Sequence, residues 1–228
     1  IIIIIIIIMF ILKGPLDFYK NGFSEYLIEK YPNDYFNYGI DIGASGICHT
    51  WHINHMGKNN PNTLLIGLEP DKTFFDVINT ECKNLNNVII IDKYFGNDLS
   101  LKDLINMYNI NIDSKWYISC DCEGGEKYLF SNSEDLEILK KCSHIAMEIH
   151  PKMANITYNK FLELFHKHFN NTHKIIRTYN GENSSGNYSF ILVDKNIYHI
   201  LEPLINKFIA GYPGQYGCSK DHYITMYN

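Results

Sequence analysis

Short runs of apolar residues alternate along this chain with longer stretches in which apolar positions recur every three or four residues. The short runs, at 38–42, 62–68, 88–91, 116–120, 144–149, 174–178 and 188–193, are bounded by polar or glycine-containing segments and predict strands. The periodic stretches predict helices over 16–30, 47–56, 72–85, 101–108, 127–141, 159–169 and 196–209. In 159–169, Phe161, Leu162, Phe165 and Phe169 fall on one side. Pro32 stops the first helix, and the last tolerates Pro203. The tail 211–228 has no period that assigns an element, and no repeat or interdomain linker is visible.

Alternating strands and helices predict a parallel sheet with helices on both faces. The last two strands are separated only by the polar loop 179–187. That loop is too short for a parallel crossover, so this pair is expected to be antiparallel. The expected fold class is α/β: a doubly wound, mostly parallel seven-stranded sheet with one antiparallel strand. The expected domain plan is a core over 38–194, a helical segment over 9–37 and an extension over 195–228.

Composition narrows this picture in a few places. With 228 residues, 46% apolar and 20% charged, the chain suits one soluble domain with a substantial core. The isoleucine run 1–8 has no capping or period and is read as a tag or artefact, with Met9 the expected start. The apolar stretch after it falls short of the roughly 20 residues that span a bilayer, and no signal-peptide pattern surrounds it. Six cysteines without a CxxC pair read as reduced thiols. A cytoplasmic protein without a membrane partner is therefore expected. The net charge of −5, without a long basic run, argues against a nucleic-acid partner.

Ligands of open α/β sheets bind beyond the carboxyl ends of the strands. Asp41-x-Gly43, Glu69-Pro70, Asp92, Asp121-x-Glu123 and Glu148-x-His150 all fall at such ends. The densest group is Asp121-Cys122-Glu123-Gly124-Gly125-Glu126. Its three carboxylates repel one another, so a cation or proton chemistry is a natural reason to keep them. A solvated loop entering an acidic first helical turn has the same composition.

The turn Gly43-Ala44-Ser45-Gly46 lets backbone approach a ligand closely, or is a plain strand-to-helix turn capped by Ser45. A dinucleotide turn would carry glycine where Asp41 stands; that carboxylate is wrong beside a pyrophosphate and suits a ligand amino group. Glu69, 23 residues past Gly46, can accept both hydroxyls of a ribose, or serve as an acid ahead of Pro70 at a helix start. His150, beside Glu148, is a candidate general base with an ordinary pKa of about 6.5, or a structural histidine. Asp121, Glu123, Glu148 and His150 could also hold a divalent cation, but their spacing matches no dedicated metal signature, so none is assigned. His49, His52 and His55 read as partly exposed helix residues.

Taken in order, these landmarks resemble the FkbM family of S-adenosylmethionine-dependent methyltransferases. The resemblance covers 38–151, about half of the chain, through Asp41-Ile42-Gly43-Ala44, Leu68-Glu69-Pro70, Asn84, Ser100-Leu101-Lys102-Asp103-Leu104, Asp121-x-Glu123-Gly124-x-Glu126 and Met147-Glu148-Ile149-His150-Pro151. Ser45 stands where the family usually has asparagine, Gly46 arrives one residue early, and Ser119 stands where a basic residue often precedes the acidic signature.

The resemblance implies a class I methyltransferase fold and methyl transfer to a hydroxyl of a small molecule or glycan. It implies S-adenosylmethionine held by Asp41, Gly43, Ala44, Ser45, Gly46, Glu69, Pro70, Asp92 and Asp121. Asp121, Glu123, Glu148 and His150 would serve the acceptor, with Glu126 bracing the turn. An RNA ribose hydroxyl as acceptor and a non-catalytic cofactor-binding member stay open as alternatives.

Overall fold

The computed structural model describes residues 27–44, 50–178, 188–211 and 224–227. Ser45, Gly46, His49, most of the predicted helix 16–30 and most of the tail lie outside the described residues. The order is β1 (Tyr38–Ile42), α1 (Thr50–Asn59), β2 (Leu64–Leu68), α2 (Lys72–Cys82), β3 (Val88–Ile91), α3 (Leu101–Met107) and β4 (Trp116–Cys120). A 3-10 helix (Gly125–Phe130), α4 (Ser133–Leu139), β5 (His144–Ile149), α5 (Pro151–Ala154) and α6 (Tyr158–Phe169) follow. The chain closes with β6 (His173–Thr178), β7 (Tyr188–Asp194), α7 (Tyr198–Gly211) and β8 (Ile224–Tyr227).

The strands form one sheet in the order β3-β2-β1-β4-β5-β7-β6-β8. Pairing is parallel from β3 to β5, and β7 runs antiparallel to both β5 and β6. The expected seven strands are all present, and the tail adds β8, antiparallel to β6, as an eighth, edge strand; its four residues are too few for a period to register. One expectation is corrected: the predicted helix 127–141 is broken. Asn132 leaves helical geometry (φ −127°, ψ 152°), and its side chain accepts from Asp135 N at 2.6 Å, which caps α4 separately from the 3-10 helix.

Period-two alternation sorts the strand residues onto two faces. Ile40, Ile42, Ile66, Leu68, Trp116, Ile118, Ile145 and Met147 pack on one face with Leu104, Leu129, Leu139, Phe161 and Phe165. Leu65, Tyr117, Ala146 and Ile191 pack on the other with Ile53, Ile78, Leu201 and Ile205. Burying each large side chain contributes about 1.5 to 3 kcal/mol. Register matters most for the site. Ile42 pairs with Leu68 and with Cys120, so Gly43, Glu69 and Asp121 each stand one residue past a shared line. Met147 pairs with Cys120, which adds Glu148 to that row.

His144, the first residue of β5, is fully buried, with Nδ1 3.2 Å from the Tyr31 hydroxyl. Burial, helped by His173 and His52, pushes its pKa down to about 3. The unfolded chain takes up this proton below about pH 6.5 and the folded chain does not. Stability held above that pH should therefore fall as pH drops from about 6.5 toward 3. His144→Asn should flatten the slope between about pH 6.5 and 5 in urea denaturation. An unchanged slope would show that another group sets it.

Candidate active site

Backbone hydrogen bonds stitch the strand ends together before any side chain is considered. Gly43 N and Ala44 N both donate to Leu68 O (3.0 and 2.9 Å), Asp121 N donates to Ile42 O (2.9 Å), and Glu69 N donates to Ile91 O (3.0 Å). Gly43 has φ +79°, and a Cβ there would lie 1.9 Å from the Asp121 carbonyl oxygen. The turn after β1 and the loop after β4 therefore touch backbone to backbone, which only glycine permits.

Above this seam opens a cavity of about 440 Å³, in the range of small-molecule sites. Gly43, Glu69 and Asp121 line it on the sheet side, and Tyr94, Phe95 and Tyr128 supply aromatic wall. Glu69 is buried, and its Oε1 accepts from Asp71 N at 2.7 Å. Its Oε2 is buried without a hydrogen-bond partner among the described residues. Burial pushes its pKa up, the Asp71 backbone bond opposes this, and the charges of Asp71, Asp41 and Asp92 add to the rise. An acceptor in that state calls for a donor from a ligand.

The acidic loop is shaped by two consecutive left-handed residues, Glu123 (φ 51°) and Gly124 (φ 98°). A Cβ on Gly124 would meet the Met153 carbonyl carbon at 2.7 Å, so the loop lies flat against α5. Glu126 is fully buried beneath it. Its Oε1 accepts from Cys122 N (3.3 Å) and Gly124 N (3.1 Å), the bracing expected of it, and lies 2.7 Å from His150 Nδ1. The other ring nitrogen of His150 faces Asp121 Oδ1 at 3.5 Å, Glu123 Oε2 at 3.6 Å and Glu148 Oε1 at 3.7 Å.

Burial opposes protonation of His150. The Glu126 hydrogen bond and the charges of Glu126, Asp121 and Glu123 outweigh it and raise the pKa to about 9. In the unliganded protein this imidazole thus keeps its proton at neutral pH. It is not the open base that an ordinary histidine pKa suggests.

Gly43, Glu69, Pro70, Asp121 and Glu123 line the cavity. Glu148 and His150 stand behind Asp121 and Glu123, outside the lining. Asp41 and Ala44 are buried outside the lining, and Asp92 is exposed and also outside it. The aromatic wall escaped the sequence reading. Its signal was the Tyr94-Phe95-Gly96 run in the loop after β3. Gly96, at φ +84°, sits where any Cβ would strike the Tyr128 ring at 2.2 Å, which joins that loop to the 3-10 helix.

No protein-family model and no curated protein matches the chain. Solved structures do. The METTL16 MTase domain superposes with a TM-score of 0.52 at 15% identity over 75% of this chain. This chain spans 64% of that domain's length. A structure named as an rRNA methylase from Clostridium thermocellum gives a TM-score of 0.53 at 13% identity, over 76% of this chain and 94% of that one. The chain has the class I methyltransferase fold, with strand order 3-2-1-4-5-7-6, β7 reversed, and β8 added at the edge. Among the described residues, no helix is long and apolar enough to cross a membrane.

Gly43→Ala should destabilise the protein by about 2 kcal/mol or more, since it adds both left-handed strain and a backbone clash. Chemical denaturation measures this directly, and a loss under about 0.5 kcal/mol would contradict the tight seam.

Proposed function

We propose that this chain is an S-adenosylmethionine-dependent O-methyltransferase of FkbM type, acting on a hydroxyl of a sugar or other small molecule. The observation that carries the reading is Glu69. It is a buried carboxylate on the cavity wall, and one of its oxygens lacks a hydrogen-bond partner among the described residues. A ribose diol supplies donors of the kind this oxygen lacks. Gly43 holds the turn open to close backbone approach, and Tyr94, Phe95 and Tyr128 offer apolar surface for a purine.

Bound there, S-adenosylmethionine supplies a methyl group activated by a positive sulfonium. The chain's own task is alignment, because an in-line displacement needs the acceptor oxygen about 3 to 3.5 Å from the methyl carbon. Asp121 and Glu123, on the cavity wall, orient the acceptor hydroxyl. His150 positions them through its charge in the unliganded protein, and the proton leaving the hydroxyl goes to a carboxylate of this cluster.

An RNA ribose is the second acceptor class, favoured by the likeness to a structure named as an rRNA methylase. The charge of the cavity lining argues against it. Glu69, Asp71, Asp121 and Glu123 outnumber Lys93 and Lys127 in that lining, a balance that does not attract a phosphate backbone.

Calorimetry of the full chain should show saturable binding of S-adenosylmethionine and none of NAD. Glu69→Ala should weaken that binding about tenfold to a hundredfold, the usual cost of a hydrogen bond to a charged group. Saturable NAD binding without an S-adenosylmethionine signal would replace this reading with a dinucleotide enzyme.

A further inference from the structure

The ring nitrogen of His150 that faces the acidic loop has three carboxylate oxygens around it at 3.5, 3.6 and 3.7 Å. Hydrogen bonds of this kind cluster near about 2.9 Å, so these contacts are too long to count as such. They are close to another spacing. Two donors bound to one divalent ion at about 2.1 Å stand about 3.0 to 3.4 Å apart, so the ring nitrogen lies within a few tenths of an ångström of that spacing from each carboxylate oxygen. One donor atom from each of Asp121, Glu123 and His150 falls within 4.8 Å of the others.

A second observation concerns the ring itself. His150 is 2% exposed, and its Nε2 makes no hydrogen bond among the described residues. Glu126 Oε1 is an acceptor shared with two backbone N–H groups, so Nδ1 is the ring nitrogen that must carry hydrogen. An arriving ion displaces the proton that Nε2 otherwise carries, and the neutral ring then presents its lone pair toward Asp121, Glu123 and Glu148. A carboxylate behind a histidine, fixing its tautomer and orientation, is the usual support for a metal-binding imidazole.

We propose that Asp121, Glu123 and His150, with Glu148 as a further oxygen donor, form a site for one divalent transition-metal ion at the cavity edge. One imidazole among carboxylates suits Mn²⁺, Fe²⁺ or Zn²⁺ better than Ca²⁺ or Mg²⁺, which favour oxygen throughout. The charges of Asp121 and Glu123 match the ion when the ring is neutral. Both residues line the cavity and the Glu123 side chain is 67% exposed, so an ion can enter from solvent. The coordination positions left over face the cavity. An ion there would hold an oxygen ligand and lower its pKa. That catalytic use rests on the methyltransferase reading, but ion binding does not.

The test is a titration of chelator-stripped full-length protein with Mn²⁺ by calorimetry and with Co²⁺ by visible absorption, both without S-adenosylmethionine. One ion per chain is expected, with Co²⁺ bands of mixed nitrogen and oxygen ligation. Glu123→Gln and Asp121→Asn should each weaken Mn²⁺ binding about tenfold or more, whereas Glu134→Gln, in an exposed ion pair with Lys102, should not change it. Because Glu123 is exposed, its variant should keep the fold, which circular dichroism checks. No saturable binding, or equal affinity in wild type and Glu123→Gln, overturns the site. Ion binding without S-adenosylmethionine binding would keep the site and sink the function proposed above; the reverse pattern would sink the site alone.

Discussion

One carboxylate oxygen, Oε1 of Glu126, holds the active edge together. It takes hydrogen bonds from two N–H groups of its own loop and from the His150 ring at the end of the next strand. Left-handed backbone at Glu123 and Gly124 goes with N–H groups of Cys122 and Gly124 that meet at one point, a place for an anion. Here the anion is supplied by the chain itself, a few residues later. Without it, the amides of Cys122 and Gly124 would lose their acceptor, at about 1 to 3 kcal/mol for each if left unsatisfied. The conformation that aims Asp121 and Glu123 at the cavity depends on that oxygen.

The same arrangement explains how so many carboxylates are tolerated along one sheet edge. Several already have structural employment. Asp71 caps α2 by accepting from Thr73 N and Phe74 N, and Glu126 closes its loop. Asp135, almost fully buried, accepts from Leu101 N and Lys102 N and so fixes the start of α3. Removing these from consideration leaves Glu69, Asp121 and Glu123 as the acids of the cavity lining. They differ in exposure, Glu69 being buried and Glu123 open to solvent.

Much of this fold was legible in the sequence because strands covered on both faces are mostly apolar runs. Tyr38–Ile42, Val88–Ile91, Trp116–Cys120 and His144–Ile149 fall where the pattern puts them. The break at Asn132 was hidden, since a polar capping residue inside a polar stretch looks like an exposed helix position. The edge residues of the site were legible too, from their place at strand ends. Distances were not. His150 and Glu126 are 24 apart in sequence, and nothing in either segment announces a 2.7 Å contact. That contact decides the charge state of the ring, which a histidine taken alone cannot reveal.

Fold likeness by itself does not separate a methyltransferase from other doubly wound enzymes, because function resides in the site and not in the architecture. The charge of the site bears on that choice. The chain's parallel strands end in Asp41, Glu69, Asp121 and Glu148, and the Glu69 carboxyl is already held above its ordinary range by burial and by neighbours that include Asp41. Burial is the largest cause of that rise, and the neighbouring carboxylates add a negative potential that resists more negative charge. A pyrophosphate would add to that potential, whereas a sulfonium, an amino group or a divalent ion would relieve it. Any ligand that belongs in this cavity must bring hydrogen-bond donors to Glu69 and positive charge, or a donor hydrogen, to Asp121 and Glu123.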